Sequence, residues 1–327
     1  MKRSFFFLIV LLLAAGTAVS AGGEWSVLSV SAEKARVEKL GVLPVGPGNA
    51  ADLYLPYLKD EAPITKEPWF TEISLSMLNE PEEGDAEKLS QAGQAASADL
   101  AALLQASAVK ESKVWGPYWK PDLSKNVLEQ DAPRYINLLR LGEIMMAQGE
   151  QLQKTGNNEG AAERFIAVFR VGNHLEAERD VLGYSIGLLM KKEAAKRLAA
   201  LYNQTGDQAK AQLWSDYLKT GEARIEARKK FYNEQEGTPS WDQAQVEKFV
   251  RDPDMPFPLR FDLLMSRHYC LHDKIMFARC LLIGAPGWVT DLEDEFAKQD
   301  ELSKLFIEHL RAYKSQLSWL QWVEEIK

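Results

Sequence analysis

The sequence predicts an all-α fold of antiparallel helical hairpins, preceded by an irregular, proline-rich N-terminal segment. From residue 85 onward, stretches rich in Ala, Leu, Gln and Glu, which favour helix, alternate with short stretches that contain Gly or Pro. Apolar residues in these stretches recur at helical spacing, as Tyr135, Leu138, Leu139 and Met145 do. The connections between the predicted helices are short, which favours antiparallel neighbours.

The first element is a leader over residues 1–21. Lys2 and Arg3 provide a basic start, residues 5–15 are an apolar run of eleven, and small residues lead to Ala21. This order is typical of a secretory signal cleaved after Ala21. At 1.5 Å per residue the apolar run covers about 16 Å, roughly half of a bilayer core, so a membrane anchor is disfavoured. We therefore expect a bacterial protein that is periplasmic or secreted and has no transmembrane segment after cleavage.

Residues 22–84 are predicted to form the irregular lead-in. Residues 50–58 are predicted to form a short helix, and residues 25–30 have the pattern of a strand without an obvious partner strand. Prolines interrupt the remainder of this segment at Pro44, Pro47, Pro56, Pro63, Pro68 and Pro81.

Residues 85–235 are predicted to form a hairpin region, and residues 236–327 a C-terminal helical region. The hairpin region begins with one helix over residues 85–109, and Gly116, Pro117 and Pro121 break the chain after it. The next helix starts near Pro133 and stops at Gly156. Further helices are predicted over residues 159–179, 184–204, 207–233, 241–250, 259–282 and 293–326.

Two segments of the hairpin region share one pattern: a small residue, a bulky residue, a glycine turn and a second small residue. This is the tetratricopeptide (TPR) helix-hairpin pattern, in which small residues let two helices approach closely. The copies are offset by 50 residues rather than 34, which argues against a regular tandem array. Their matching positions are Gly149, Leu152, Gly156 and Ala161 in the first copy and Ala199, Tyr202, Gly206 and Ala211 in the second.

On these two hairpins, and on the run from Trp115 to Arg140, the chain resembles exported bacterial helical proteins with TPR-like hairpins. The resemblance covers roughly residues 110–220. That group has no known activity, so the resemblance implies an architecture and no catalytic residue. The chain departs from the repeat pattern in its 50-residue offset and in lacking the proline that usually closes each repeat.

The amino-acid composition of the chain argues against several classes of function. A formal net charge of −8 argues against broad nucleic-acid binding, which depends on clustered Lys and Arg. Two cysteines exclude a disulfide-dense scaffold. The usual nucleotide-binding, serine-hydrolase and zinc-protease motifs are missing from the sequence, so an enzyme is disfavoured and no cofactor is expected.

Stacked helical hairpins expose a curved face to a partner. We place this predicted face around Arg140, Arg170, Asn173 and His174, the last two being polar residues beside an apolar stripe. The expected partner is an envelope protein or a peptide.

The first alternative is an envelope enzyme or a metal-binding protein that uses His268 and His272. His268 and His272 stand four residues apart, so on a helix both imidazoles would leave one face, as a two-histidine metal site requires. Tyr269 occupies the position where a zinc-protease helix has its glutamate. The histidines could equally donate hydrogen bonds to nearby carbonyls. Cys270 and Cys280 are about 15 Å apart on a continuous helix, too far for a disulfide.

A glycan-binding loop is the second alternative. Trp115, Tyr118 and Trp119 lie close together with two prolines, and sugars or proline-rich peptides stack on such aromatic rings. The same rings could instead fill the seam between adjacent helices, because Trp and Tyr are highly buried on average.

Overall fold

The computed structural model describes residues 24–59, 61–73, 75–80, 82–114, 133–178, 181–237, 248–249, 251–256 and 258–260. These residues are mostly helical, which confirms the all-α prediction. The helices are α1 (Val30–Leu40), α2 (Ala51–Tyr54), α3 (Leu75–Asn79), α4 (Asp85–Ala95), α5 (Ser97–Ser107), α6 (Tyr135–Lys154), α7 (Asn158–Glu176), α8 (Val181–Gln204) and α9 (Gln208–Gly237).

The four long helices α6 to α9 follow one another through short turns. Gly156 and Gly206, with φ of 84° and 80°, lie in the turns after α6 and α8, where the chain needs a left-handed residue. The next helix is then capped by Asn157, whose Oδ1 accepts a hydrogen bond from the Gly160 amide at 3.0 Å. The stops predicted at these two glycines are confirmed.

Small residues set how closely the long helices pack. The face of Gly149 on α6 lies against the Phe165 ring of α7. On α7 and α8, Gly172 and Gly187 bring the two backbones together, so a Cβ on Gly187 would stand 2.5 Å from the Gly172 carbonyl oxygen. Gly142 and Gly149 of α6 lie against Val168 and Phe165 of α7, and Gly172 and Glu176 of α7 lie against Lys191 and Gly187 of α8. Residue numbers rise along one helix as they fall along its neighbour, so α7 is antiparallel to both α6 and α8. The TPR-like arrangement of these hairpins stays a prediction.

The single helix predicted over residues 85–109 is wrong in detail. The chain forms two helices, α4 and α5, because Ala96 leaves helical geometry with φ of −87° and ψ of 13°. The break lets α4 pack on α6 while α5 packs on α7.

The lead-in contains more helix than the sequence predicts. The strand expected over residues 25–30 is wrong, since Glu24–Leu28 forms a 3-10 turn and α1 begins at Val30. The Ser29 side chain caps α1, and Gly41, at φ of 67°, ends it. The predicted helix over residues 50–58 is only the short α2, which ends before Pro56.

Two short strands were not expected. β1 (Gly46–Asn49) and β2 (Val109–Glu111) pair in parallel, with Gly46 opposite Val109 and Asn49 opposite Glu111. The pairing ties the lead-in to the segment that follows α5.

One hydrophobic core runs through the lead-in and the long helices. It includes Tyr54, Trp69 and Ile73 from the lead-in together with Phe169 and Trp214 from α7 and α9. The boundaries predicted at residues 84 and 235 stay predictions. Most of the helices predicted after residue 240 lie outside the described residues. Within the described part, no helix is both long and apolar enough to cross a membrane.

Candidate binding sites

His174, predicted to face a partner, is covered by other segments of the same chain. Its side chain is buried, with 2% of the residue exposed. The ring nitrogen Nε2 lies 2.9 Å from the Val109 carbonyl oxygen, and Nδ1 lies 2.8 Å from the Tyr54 hydroxyl. Because a carbonyl can only accept, Nε2 carries the proton and Tyr54 donates to Nδ1.

The buried surroundings keep this pair uncharged. Burial lowers the pKa of His174 to about 4, with the charge of Arg170 acting in the same direction and the Val109 hydrogen bond opposing it. Burial, followed by the charge of Glu178, raises the pKa of Tyr54 well above its usual value. A neutral histidine and a neutral tyrosine thus connect α7 to α2 and to β2.

The other three predicted residues are also engaged within the chain. Arg170 is half-buried and donates from Nε to the Val42 carbonyl at 2.5 Å. Asn173 accepts from Lys191 Nζ at 3.3 Å. Arg140, on α6, forms a 2.9 Å ion pair with the buried Glu143. The structure therefore brings three of them together on α7, while Arg140 lies on the neighbouring helix.

Sequence reasoning missed a buried group of four charges, here called the ionic cluster: Glu33 of α1, Glu176 of α7, Lys191 of α8 and Arg224 of α9. Lys191 Nζ lies 2.6 Å from Glu33 Oε1 and 2.7 Å from Glu176 Oε2. Arg224 lies 3.0 Å from Glu33 Oε1 and also pairs with Glu176. Two acids and two bases from four helices thus meet in one buried place, and Arg36 of α1 adds a third base at its edge, 3.1 Å from Glu33 Oε2.

The cluster favours the charged form of its acids. Burial alone would raise the pKa of Glu33, but the charges of Lys191 and Arg224 outweigh it, and hydrogen bonds from Lys191 and Tyr217 add to their effect. The result is a pKa of about 2. The pKa of Glu176 is lowered by the same two cations despite its burial. Glu33 is therefore a carboxylate throughout the physiological range.

Aromatic rings form one wall of the ionic cluster. Phe169 packs edge-on against both Trp214 and Tyr217, each at 5.1 Å between ring centroids. Lys191 Nζ stands 5.4 Å from the Phe169 centroid and 5.8 Å from that of Tyr217, within cation–π range. One sequence signal could have revealed the cluster: Lys191 shares a helical stripe with Ala195 and Leu198, both buried.

A second feature is an open cleft of about 360 Å³ between α3, α4 and α6. Met77 and Leu89 form an apolar floor, since both are nearly buried. Gln148 donates to the Gly93 carbonyl at 3.2 Å, and this bond joins α4 to α6 within the lining of the cleft. The carboxamide and hydroxyl groups along the walls come from Gln94, Gln148, Gln151, Ser90 and Ser97.

The remaining predicted sites cannot be placed. Trp115, Tyr118 and Trp119 lie outside the described residues, as do His268, His272, Cys270 and Cys280. Within the ranges that the structure does describe, no group of three or more His, Cys, Asp or Glu residues could hold a metal ion.

Comparison of the chain with models of known protein families, with curated protein sequences and with solved protein structures gives no match.

Proposed function

We propose that this protein is an exported interaction scaffold of the bacterial cell envelope, whose stacked, TPR-like helices bind a protein or an extended peptide. The sequence pattern of the leader supports export, and the antiparallel packing of α6 to α9 supports the scaffold.

One observation carries the proposal: polar side chains on the long helices already bind the main chain of non-helical segments. Arg170 donates to the Val42 carbonyl, His174 to that of Val109, and Asn137 to that of Tyr57 at 2.6 Å. Main-chain groups are the part of a peptide that every sequence presents. Helices that hold their own non-helical segments in this way have the chemistry needed to hold a main-chain segment of a partner.

The cleft is the surface where such a partner has room to bind. Its amide side chains both donate and accept, which suits the alternating N–H and C=O groups of an extended peptide. Gln94 and Gln151 are exposed at its walls, and the apolar floor offers a place for a partner side chain.

Site-specific crosslinking in cells tests this proposal. A photoreactive amino acid is placed at Gln94 or Gln151 in the cleft, and at Lys219 on α9 as the control, because the Lys219 side chain is 76% exposed. The expected result is one stoichiometric protein adduct from the cleft positions and none from Lys219. Equal adducts from all three positions, or none above background, would overturn the placement of the partner.

The same cells test export. The protein is expected in the periplasmic or secreted fraction, with an N-terminus at Gly22 by mass spectrometry. An intact leader and a cytoplasmic location would contradict the proposal.

A further inference from the structure

The way α1 is attached to the long helices points to a second binding site. Of its eleven residues, the buried ones are Glu33 and Val37. Its apolar contribution is therefore small: Val37 is buried, Leu40 at its end is partly buried against the core, and Leu28 of the preceding turn is buried as well. Helices α7 and α8, by contrast, bury many apolar side chains along their length.

The ion pairs of Glu33 make the attachment of α1 specific but add little to its net strength. The ion pairs of Glu33 with Lys191 and Arg224 are buried, and the loss of hydration largely offsets the attraction between buried charges. At its N-terminal end α1 is held by surface hydrogen bonds, from the Val30 amide to the Asp254 carbonyl and from the Ser31 amide to the Asp254 carboxylate, both at 2.8 Å. The attachment of α1 is thus specific but weak compared with the packing of the long helices.

Departure of α1 would leave a pocket built for one carboxylate. Lys191 and Arg224 would face Glu176 alone, with one positive charge in excess. The Tyr217 hydroxyl, which donates to Glu33 at 2.5 Å, would lose its acceptor. Water would reach these groups once α1 has left, so the pocket would select an incoming carboxylate by its charge and hydrogen-bonding geometry, with a modest net affinity.

We propose that Lys191, Arg224 and Tyr217 form a carboxylate pocket for an acidic amphipathic helix of a partner protein, and that Glu33 occupies this pocket as an intramolecular ligand in the free chain. The proposal rests on the proposed scaffold function and gives it a second surface. The positive charges of Lys191 and Arg224 favour an acidic residue on the partner helix. The spacing of Glu33 and Val37 selects a partner helix with an acidic residue and, four positions later, a β-branched apolar residue on the same face.

Hydrogen exchange on the wild-type chain tests whether α1 opens on its own. The amides of residues 34–40 are expected to exchange at least about 100-fold faster than those in the middle of α7 and α8, through a local opening. Exchange of α1 at the same slow rate as α7 and α8 would overturn the proposal, because the pocket would then open only on global unfolding.

A peptide with the sequence of residues 24–42 serves as the probe for the pocket. Fluorescence anisotropy follows its binding to the full mature chain. We expect saturable binding that is weakened at least about tenfold by Glu33→Gln in the peptide and unchanged by Glu38→Gln, whose site is half-exposed on the same helix. Absence of binding, or equal binding of all three peptides, would overturn the proposal.

Variants of the chain test whether α1 competes with the probe. Asp254→Ala removes the hydrogen bonds that Ser29 and Ser31 donate to the Asp254 carboxylate, keeps the main-chain bond from Val30, and does not touch the pocket. The wild-type peptide should therefore bind this variant several-fold more tightly. Glu33→Gln in the chain should have the same effect if circular dichroism shows it folded, and the Asp254→Ala result decides if it does not. Unchanged affinity for a folded Asp254→Ala chain would contradict competition by α1. These readouts need no envelope partner, so their failure is distinct from failure of the crosslinking test.

Discussion

At the scale of single residues, loss of the Glu33 charge should be costly. Removing its charge leaves Lys191 and Arg224 buried with one acid between them, and breaking a buried ion pair in this way costs about 3–5 kcal/mol. We expect Glu33→Gln to lower the free energy of unfolding by that amount at neutral pH, as measured by urea denaturation followed by circular dichroism.

The matched control is Glu38→Gln on the same helix. Its side chain is 52% exposed and 4.0 Å from Lys34, so the expected change is within about 0.5 kcal/mol. A loss for Glu33→Gln no larger than for Glu38→Gln would contradict the structural role assigned to the ionic cluster.

The sequence does not reveal which of the predicted site residues are covered by distant segments of the same chain. The sequence places Asn173 and His174 beside an apolar stripe, but it does not show that Val42, Tyr54 and Val109 come to cover Arg170 and His174. Those contacts join positions separated by 65 to 128 residues, a distance over which periodicity carries no information.

At the scale of elements, the approach of α7 and α8 depends on glycine. A methyl group at Gly187 would stand 2.5 Å from main-chain atoms of α7, and a backbone cannot move aside as a flexible side chain can. We expect Gly187→Ala to destabilise the protein by at least about 1–3 kcal/mol, the usual cost of overpacking, as measured by thermal unfolding.

Gly221 on α9 provides the control, because a Cβ there has no atom within 4 Å. Since alanine favours helix over glycine by about 1 kcal/mol, Gly221→Ala should stabilise the protein. If both substitutions shifted the melting temperature in the same direction, the close approach of α7 and α8 would not be the controlling contact.

Element-scale prediction succeeded where local chemistry decides the outcome. The ends of α6 and α8 follow from Gly156 and Gly206, whose positive φ is a local requirement. α1 was missed because its buried face consists of one acid and one valine, which gives no apolar stripe to detect. The break at Ala96 was missed because alanine favours helix, and packing on two different long helices decides the geometry there.

At the scale of the whole molecule, mild acid should weaken the structure through His174. Its pKa is about 4 in the folded protein and about 6.5 in an unfolded chain, so the unfolded state takes up a proton first as the pH falls. The stabilisation is complete above pH 6.5 and is lost progressively down to pH 4, by about 3 kcal/mol. Urea titrations at several pH values would measure this loss.

His174→Gln removes this titration while leaving a side chain that can hydrogen-bond. The difference in free energy of unfolding between wild type and variant should therefore shrink between pH 6.5 and 4. The contribution of Glu33, with its pKa of about 2, is present above pH 4.5 and is lost only between pH 4.5 and 2. Parallel stability curves for wild type and variant across the upper window would contradict the assignment to His174.

The hydrogen bonds between Asp254 and the start of α1 join distant parts of the chain, and this has a consequence for the order of folding. Helix α1 lies near the start of the described chain, yet the residues that hold it, Lys191, Arg224 and Asp254, lie about 160 to 220 residues further along. Contacts between chain neighbours close quickly, whereas those across some 220 residues are slow. The hairpins of α6 to α9 are therefore expected to assemble first, and α1 is expected to dock on them late in folding.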